Sequence, residues 1–217
     1  VKNNLKFVKT LKKRTMKIIA IGRNYVDHIK ELNNEIPASP VIFTKPETAI
    51  LRDNADFYLP EFSQDVHHEL EIIVKINKIG KNIEEKFAHK YYDEVGVGID
   101  FTARDVQAEL KAKGLPWDLA KGFDGSAPIS SFLPKEGLDL ANLDFKLLVN
   151  NEPRQIGNTS LMMYSIDKII AYVSKYFTLK VGDIIFTGTP KGVAKVQADD
   201  YLQAFIGEKQ LLDFYVK

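Results

Sequence analysis

Three carboxylates in this chain sit in a pattern that bulk solubility does not require. His67-His68-Glu69-Leu70-Glu71 opens an apolar alternating run, and Val95-Gly96-Val97-Gly98-Ile99-Asp100 ends another. In an extended strand Glu69 and Glu71 point the same way, while Leu70, Ile72, Val74 and Ile76 make the opposite face. Asp100 brings a third oxygen from the end of the second run. Three carboxylates in a chain without cysteine suit a hard divalent cation, Mg²⁺ or Mn²⁺ with Ca²⁺ as a further option, because hard ions prefer oxygen ligands. Zinc fits less well. An isolated Glu-x-Glu more often faces water from a half-buried strand. The position of Asp100, at a strand end before Phe101-Thr102-Ala103, favours the metal reading, since active-site groups gather at such ends. His67 and His68 do not make a zinc-protease motif, which needs a second histidine four residues after the first on a helix. Structural or supporting roles are expected of both.

The elements that must position these groups follow from periodicity. Met16 to Ile21 reads as a short apolar strand ending at Gly22, after which Asn24 is expected to cap a helix over Tyr25 to Leu32. His28 and Glu31, three apart, share one face of that helix. Further strands are expected at residues 40–46, 56–59, 69–76, 94–100, 145–149, 183–187, 201–206 and 211–216. A helix from Ala103 to Lys113 carries a capping-box signal, Thr102 with Asp105, and shows Arg104 and Gln107 on one face. A second helix, Ile166 to Phe177, is capped by Ser165 and buries Ile166, Ile169, Ile170, Val173 and Phe177 at helical spacing. The class is α+β and β-rich.

Composition bounds the partners. At 217 residues and 45% hydrophobic content the chain supports one substantial domain, with no apolar run long enough for a membrane span. Zero cysteines exclude disulfides and thiolate chemistry and fit a reducing, cytoplasmic setting. The net charge of +1 hides a basic extension: residues 1–15 hold six basic residues and no acid, leaving 24 basic against 29 acidic in the body. That body, residues 16–217, is read as a single catalytic domain. It shows no basic stripe interleaved with aromatics, so nucleic acid is not an expected partner. The extension has a transit-like composition, and the preferred reading is an upstream extension before a start at Met16.

Two further features carry chemistry. Lys121 lies among apolar residues and glycines in Leu115-Pro116-Trp117-Asp118-Leu119-Ala120-Lys121-Gly122, a candidate clamp for an anion or enolate. A strand then runs into Gly188-Thr189-Pro190-Lys191-Gly192, where bare backbone N–H groups and a hydroxyl suit a carboxylate. No Walker loop is present.

Taken in order, Gly22-Arg23-Asn24-Tyr25-x-x-His28-x-x-Glu31, Phe43-x-Lys45-Pro46, His68-Glu69-x-Glu71, Gly98-x-Asp100-x-Thr102-x-Arg104-Asp105-x-Gln107, Lys121-x-Phe123-Asp124 and Thr187-Gly188-Thr189-Pro190 resemble the fumarylacetoacetate hydrolase family. The resemblance runs from about residue 16 to the end, and is greatest to the short acylpyruvase and oxaloacetate decarboxylase branch. It implies a mixed β-roll, a homodimer, and Mg²⁺ or Mn²⁺ held by Glu69, Glu71 and Asp100. It also implies a His28/Glu31 dyad brought over substrate by a helical lid. Larger members add an N-terminal domain and one more acidic ligand; the chain is short for the first, and no residue here is assigned to the second.

The chemistry so implied is cleavage of an acylpyruvate, a 2,4-dioxo acid, to pyruvate and a carboxylic acid. His28, oriented by Glu31, deprotonates a water that attacks the C4 carbonyl, and Lys121 stabilises the enolate beside the metal. Arg104, Gln107, Thr189, Gly188 and Lys45 are the expected substrate-binding set. Oxaloacetate decarboxylation yields the same enolate without water. Isomerisation of 2-hydroxyhepta-2,4-diene-1,7-dioate is a third family activity. From a different class, a metal-stabilised binding module without turnover stays open.

Overall fold

The computed structural model describes residues 16–32 and 35–217; the basic extension at 1–15 lies outside them. Along the chain run strand β1 (Ile18–Gly22), helix α1 (Val26–Glu31), β2 (Val41–Lys45), β3 (Ile50–Leu51), β4 (Val66–His68) and β5 (Leu70–Ile76). Helix α2 (Glu85–Ala88), β6 (Tyr92–Ile99), β7 (Thr102–Ala103), helices α3 (Arg104–Ala112) and α4 (Asp118–Lys121), β8 (Ala127–Pro128) and β9 (Leu133–Pro134) follow. The last part holds β10 (Asp144–Val149), β11 (Glu152–Asn158), α5 (Ile166–Val173), β12 (Ile184–Phe186), β13 (Ala194–Lys195), β14 (Tyr201–Ile206) and β15 (Lys209–Tyr215).

A six-stranded mixed sheet has the order β2-β1-β12-β5-β6-β9, with β1 and β12 parallel and the other pairs antiparallel. An antiparallel four-stranded sheet, β11-β10-β14-β15, packs against it, and β13-β4-β7 makes a small third sheet. This is the mixed, strand-rich roll that the sequence implies. Alternation decides the packing. Leu70, Ile72, Val74 and Ile76 enter the main core with Phe145, Leu147, Leu202, Leu212 and the inward stripe of α5, while Ile73 joins a smaller cluster with Ile18, Ile184 and Phe186 on the other face. The glycines of β6 have a packing reason: a Cβ on Gly98 would stand 2.7 Å from the Phe186 ring. No described helix is long and apolar enough to cross a membrane.

Several expected boundaries shift for local reasons. Asn24 does not cap α1. Its side chain is buried and donates to the Tyr164 and Thr187 carbonyls at 3.0 and 2.7 Å, and Tyr25 occupies the cap position without a side-chain bond. The Thr102/Asp105 capping box does not form either, because Thr102 is drawn to Glu69 and Lys121 while Asp105 accepts from Ser63 and the Gln64 N–H. Ser165 does cap α5, accepting the Lys168 N–H. That helix stops at Val173, where the Ser174 hydroxyl turns back onto the Ala171 carbonyl and receives the Ile83 N–H. The expected strand at 56–59 reduces to a single bridge between Phe57 and Val216. Strand β11 was not expected at all.

Candidate metal centre

The three carboxylates come from β5, the break that precedes it and the residue that follows β6. Glu69 sits in the break between β4 and β5, not inside a strand, and its carbonyl accepts the Asp100 N–H at 2.8 Å. Glu71 lies opposite Gly98 in the β5–β6 ladder, and Asp100 directly follows β6. This register brings one oxygen from each of Glu69, Glu71 and Asp100 within 4.8 Å of the others, all three buried.

Unpaired, three such charges would not stay buried. Lys121 Nζ lies 2.8 Å from Glu69 Oε2 and 2.6 Å from Asp100 Oδ2, and Arg104 Nη2 lies 2.6 Å from Glu69 Oε1. Burial pushes the Glu69 carboxyl up, but Lys121, then Arg104, outweigh it and hold it well below the usual carboxylate range. The same pairs raise the Lys121 ammonium against its own burial, which acts to lower it. Thr102 joins the set, donating to Glu69 Oε1 at 3.0 Å and accepting from Lys121.

Glu71 stands apart. Its protein partner is the Gly188 N–H at 2.6 Å, and burial, then the Asp100 charge, pushes its carboxyl well above the ordinary range. Asp100 Oδ1 is compensated, unlike Glu71. It is paired with the Lys45 ammonium 2.7 Å away, which also donates to Ser126 and to the Phe101 carbonyl. An all-oxygen donor set that includes a buried glutamate whose charge is under-compensated fits a hard divalent cation.

Around the triad, a cavity of ≈ 30 Å³ is lined by Glu69, Glu71, His28, Arg104, Gln107 and Lys121, with Thr189 at its edge. His28 is buried, and its Nδ1 faces Glu31 Oε2 at 3.3 Å. A carboxylate can only accept, which puts the proton on Nδ1 and leaves Nε2 bare. Glu31 is itself pinned by the Gly192 N–H at 3.0 Å. Burial pushes the His28 imidazole down, against the Glu69 charge, so the ring is neutral and basic near pH 7.

Among the other residues expected at the site, Arg104 Nη1 is bonded to Gln107 Oε1 at 2.9 Å, and both reach the cavity from α3. The Gly188 N–H is committed to Glu71, not left bare for a substrate carboxylate. Lys45 lies behind Asp100 and away from the cavity.

The sequence reading passed over Gln155. From β11 it accepts from His68 Nδ1 and the Leu70 N–H, both at 2.9 Å, and donates to Thr189 Oγ1 at 2.8 Å and to the Pro190 carbonyl at 3.0 Å. It thereby ties the start of β5 to the Gly188-Thr189-Pro190 turn. No periodicity marks such a residue, because its strand was itself missed. Thr102 was read as a helix cap, and Tyr25, whose buried hydroxyl has no hydrogen-bond partner among the described residues, only as the start of a helix.

Comparison with known proteins places this geometry. Residues 17–211 match the family model described as Fumarylacetoacetate (FAA) hydrolase C-terminal. The chain is 48% identical over 190 residues to the Bos taurus protein named oxaloacetate tautomerase FAHD1, mitochondrial, covering 87% of this chain and 86% of that one. It is 41% identical to the Dictyostelium discoideum oxaloacetate decarboxylase, mitochondrial, covering 88% of both. The structure of fumarylpyruvate hydrolase from Pseudomonas aeruginosa in complex with Mn²⁺ and pyruvate superposes with a TM-score of 0.88 at 29% identity, over 93% of this chain and 89% of that one.

Proposed function

We infer the activity from one premise: this chain belongs to the fumarylacetoacetate hydrolase family, and is an enzyme of that family. Its substrate in this reading is a short 2-oxo acid, and its principal reaction is enolisation of oxaloacetate, with loss of carbon dioxide from the same bound form. The observation that carries this is the buried triad of Glu69, Glu71 and Asp100, of which Glu69 and Glu71 line a cavity that also holds a neutral histidine with a bare Nε2.

Glu69, Glu71 and Asp100 would hold Mg²⁺ or Mn²⁺, which would supply a Lewis acid to stabilise the enolate. His28 Nε2 takes the proton from C3 and returns it to oxygen, or the reverse. Glu31 keeps the imidazole in the tautomer that leaves Nε2 free, since its other oxygen is fixed by Gly192. Lys121 stands beside the developing negative charge, the place where a preset cation counts most. Arg104, Gln107 and Thr189 bind substrate oxygens. Gly188 and Lys45 take positioning roles, the first holding Glu71 and the second Asp100.

A second reading, hydrolysis of acylpyruvates, is favoured by the His28–Glu31 pair, whose geometry equally suits activation of a water. A homodimer belongs to the same proposal; light scattering should give about twice the 24.6 kDa chain mass. The deciding assay follows oxaloacetate, acetylpyruvate and fumarylpyruvate spectrophotometrically with and without Mg²⁺ or Mn²⁺. Metal-dependent turnover of oxaloacetate is expected, and inertness towards all three with either metal would remove the proposal.

A further inference from the structure

Arg104 is held at its two outer nitrogens by groups that the reaction puts to other use. Nη2 lies 2.6 Å from Glu69 Oε1, which belongs to a metal ligand in the reading above, and Nη1 donates at 2.9 Å to Gln107 Oε1, which belongs to a side chain that meets substrate. The inner nitrogen, Nε, is buried and makes no hydrogen bond among the described residues. A guanidinium anchored only through groups that ligands compete for does not keep a fixed place, so its third edge matters.

The register of the small third sheet shows what that edge meets. Strands β4 and β7 are antiparallel, with Val66 opposite Ala103 and His67 opposite Thr102, and the Arg104 N–H donates to the Asp65 carbonyl at 2.7 Å, which carries the pairing one residue further. Opposed residues share a face and every second residue returns to it, so Asp65, His67, Thr102 and Arg104 stand on one side. His67 is the diagonal neighbour of Arg104 there, a separation that long side chains span. Burial, then the Arg104 charge, pushes the His67 imidazole down, so the ring is neutral and lies in the field of the guanidinium. Asp65 Oδ1 lies 3.0 Å from His67 Nε2, and a carboxylate only accepts, which puts the proton on Nε2 and leaves Nδ1 bare. That Nδ1 is also buried and has no hydrogen-bond partner among the described residues. A bare acceptor thus stands diagonally across from an unmatched N–H.

We propose that His67 is a positioning residue for Arg104: its Nδ1 receives the Arg104 Nε–H through one bridging water, and Asp65 fixes the tautomer that allows this. The inference rests on the substrate-binding role given to Arg104 above. A water that serves one buried donor and one buried acceptor is nearly as good a link as a direct hydrogen bond. Asp65, His67 and Arg104 then form a chain that runs from solvent to the cavity wall and ends beside Glu69. Anchored at Nε, the guanidinium keeps its place while its outer nitrogens exchange partners.

Nitrogen-15 NMR of the arginine side chains tests the link in the metal-free protein, with the Arg104 Nε–H signal assigned by its loss in Arg104→Lys. His67→Leu removes the acceptor and should speed solvent exchange of that N–H by ~10-fold or more, the weight of a hydrogen bond to a charged group. His67→Asn returns an acceptor oxygen near the Nδ1 position and should restore slow exchange, which a histidine needed only for packing would not do. Asp65→Ala changes a side chain that is 40% exposed, so it reports even if His67→Leu does not fold, and it too should speed exchange. In turnover His67→Leu should raise the oxaloacetate KM several-fold and leave kcat little changed, the mark of lost binding that ground and transition states share. Exchange unchanged in both His67→Leu and Asp65→Ala, no rescue by His67→Asn, or a fall in kcat at constant KM would overturn the proposal. The exchange measurement needs neither metal nor substrate. The expected exchange pattern in a protein inert to every 2-oxo acid would therefore preserve the His67–Arg104 link and remove the proposed reaction.

Discussion

At the scale of single residues, the separate environments of His28, Glu69 and Glu71 divide the chemistry. Glu69 is held ionised by Lys121 and Arg104, Glu71 is pushed up by burial and Asp100, and His28 is pushed down by burial. A neutral base beside a cluster of opposed charges is what proton transfer at neutral pH requires. His28→Ala should therefore lower oxaloacetate enolisation by ~10²–10⁴-fold, the usual weight of general base catalysis, with Mn²⁺ affinity unchanged. Decarboxylation should suffer less, because its enolate forms without proton abstraction. The sign of the pH dependence follows from the lowered imidazole. The base works unprotonated, so the rate should be level through neutrality and fall only below the ordinary histidine value of 6.5. Rates of both reactions for His28→Ala and wild type, taken across pH, decide the role. Equal loss of the two activities would make His28 a binding group and not a base. The residue types were legible in the sequence, since acids at strand ends and an i, i+3 His/Glu pair are local patterns. The burial of Lys121 and Lys45 was not, because lysines usually sit in water and only the fold shows that acids receive them here.

At the scale of elements, legibility followed hydrophobic period. The strands at 70–76, 144–149 and 201–206 and the α5 stripe were readable because each puts a continuous apolar face into the core. Strand β11 failed that test. It is an edge strand, begins Glu152-Pro153-Arg154 in solvent, and buries only Gln155 and Gly157. Its one signal was the turn before it, Asn150-Asn151, with φ of 55° and 66°, the paired left-handed geometry of a tight hairpin. Missing β11 meant missing Gln155, which stitches β4, β5 and the Thr189 turn together. Gln155→Leu should be costly in proportion, since it strands the Leu70 N–H, the Pro190 carbonyl and His68 inside the protein. At ~1–3 kcal/mol for each unsatisfied group, a loss of about 3 kcal/mol or more is expected in denaturant unfolding. A loss below about 1 kcal/mol would mean that neighbouring groups re-pair and that Gln155 does not hold the turn.

At the scale of the whole molecule, the site is an assembly of distant parts. His28, Glu69, Asp100, Lys121 and Thr189 belong to five segments, and only the closing of the six-stranded sheet and its flanking turns gathers them. That is why the order of motifs announced the family while spacing alone could not draw the cavity. The assembly also buries a dense ionic cluster, and ion pairs in an interior return little stability once desolvation is counted. A cation that binds the folded triad and not the unfolded chain should change this balance directly. Linkage gives ~2.7 kcal/mol of stabilisation at a concentration of 100 Kd. For a chain of 217 residues each kcal/mol raises Tm by roughly 2–4 °C. Scanning calorimetry in saturating Mn²⁺ should therefore place the transition about 5–11 °C above its position in chelator. Glu71→Gln should abolish most of that gap while leaving the metal-free protein as stable as wild type or more so. Its carboxyl is already pushed towards the neutral form by burial, and an amide keeps the shape without the charge. An unchanged gap in Glu71→Gln would remove Glu71 from the ligand set, and the absence of any gap in the wild-type protein would remove the metal centre itself.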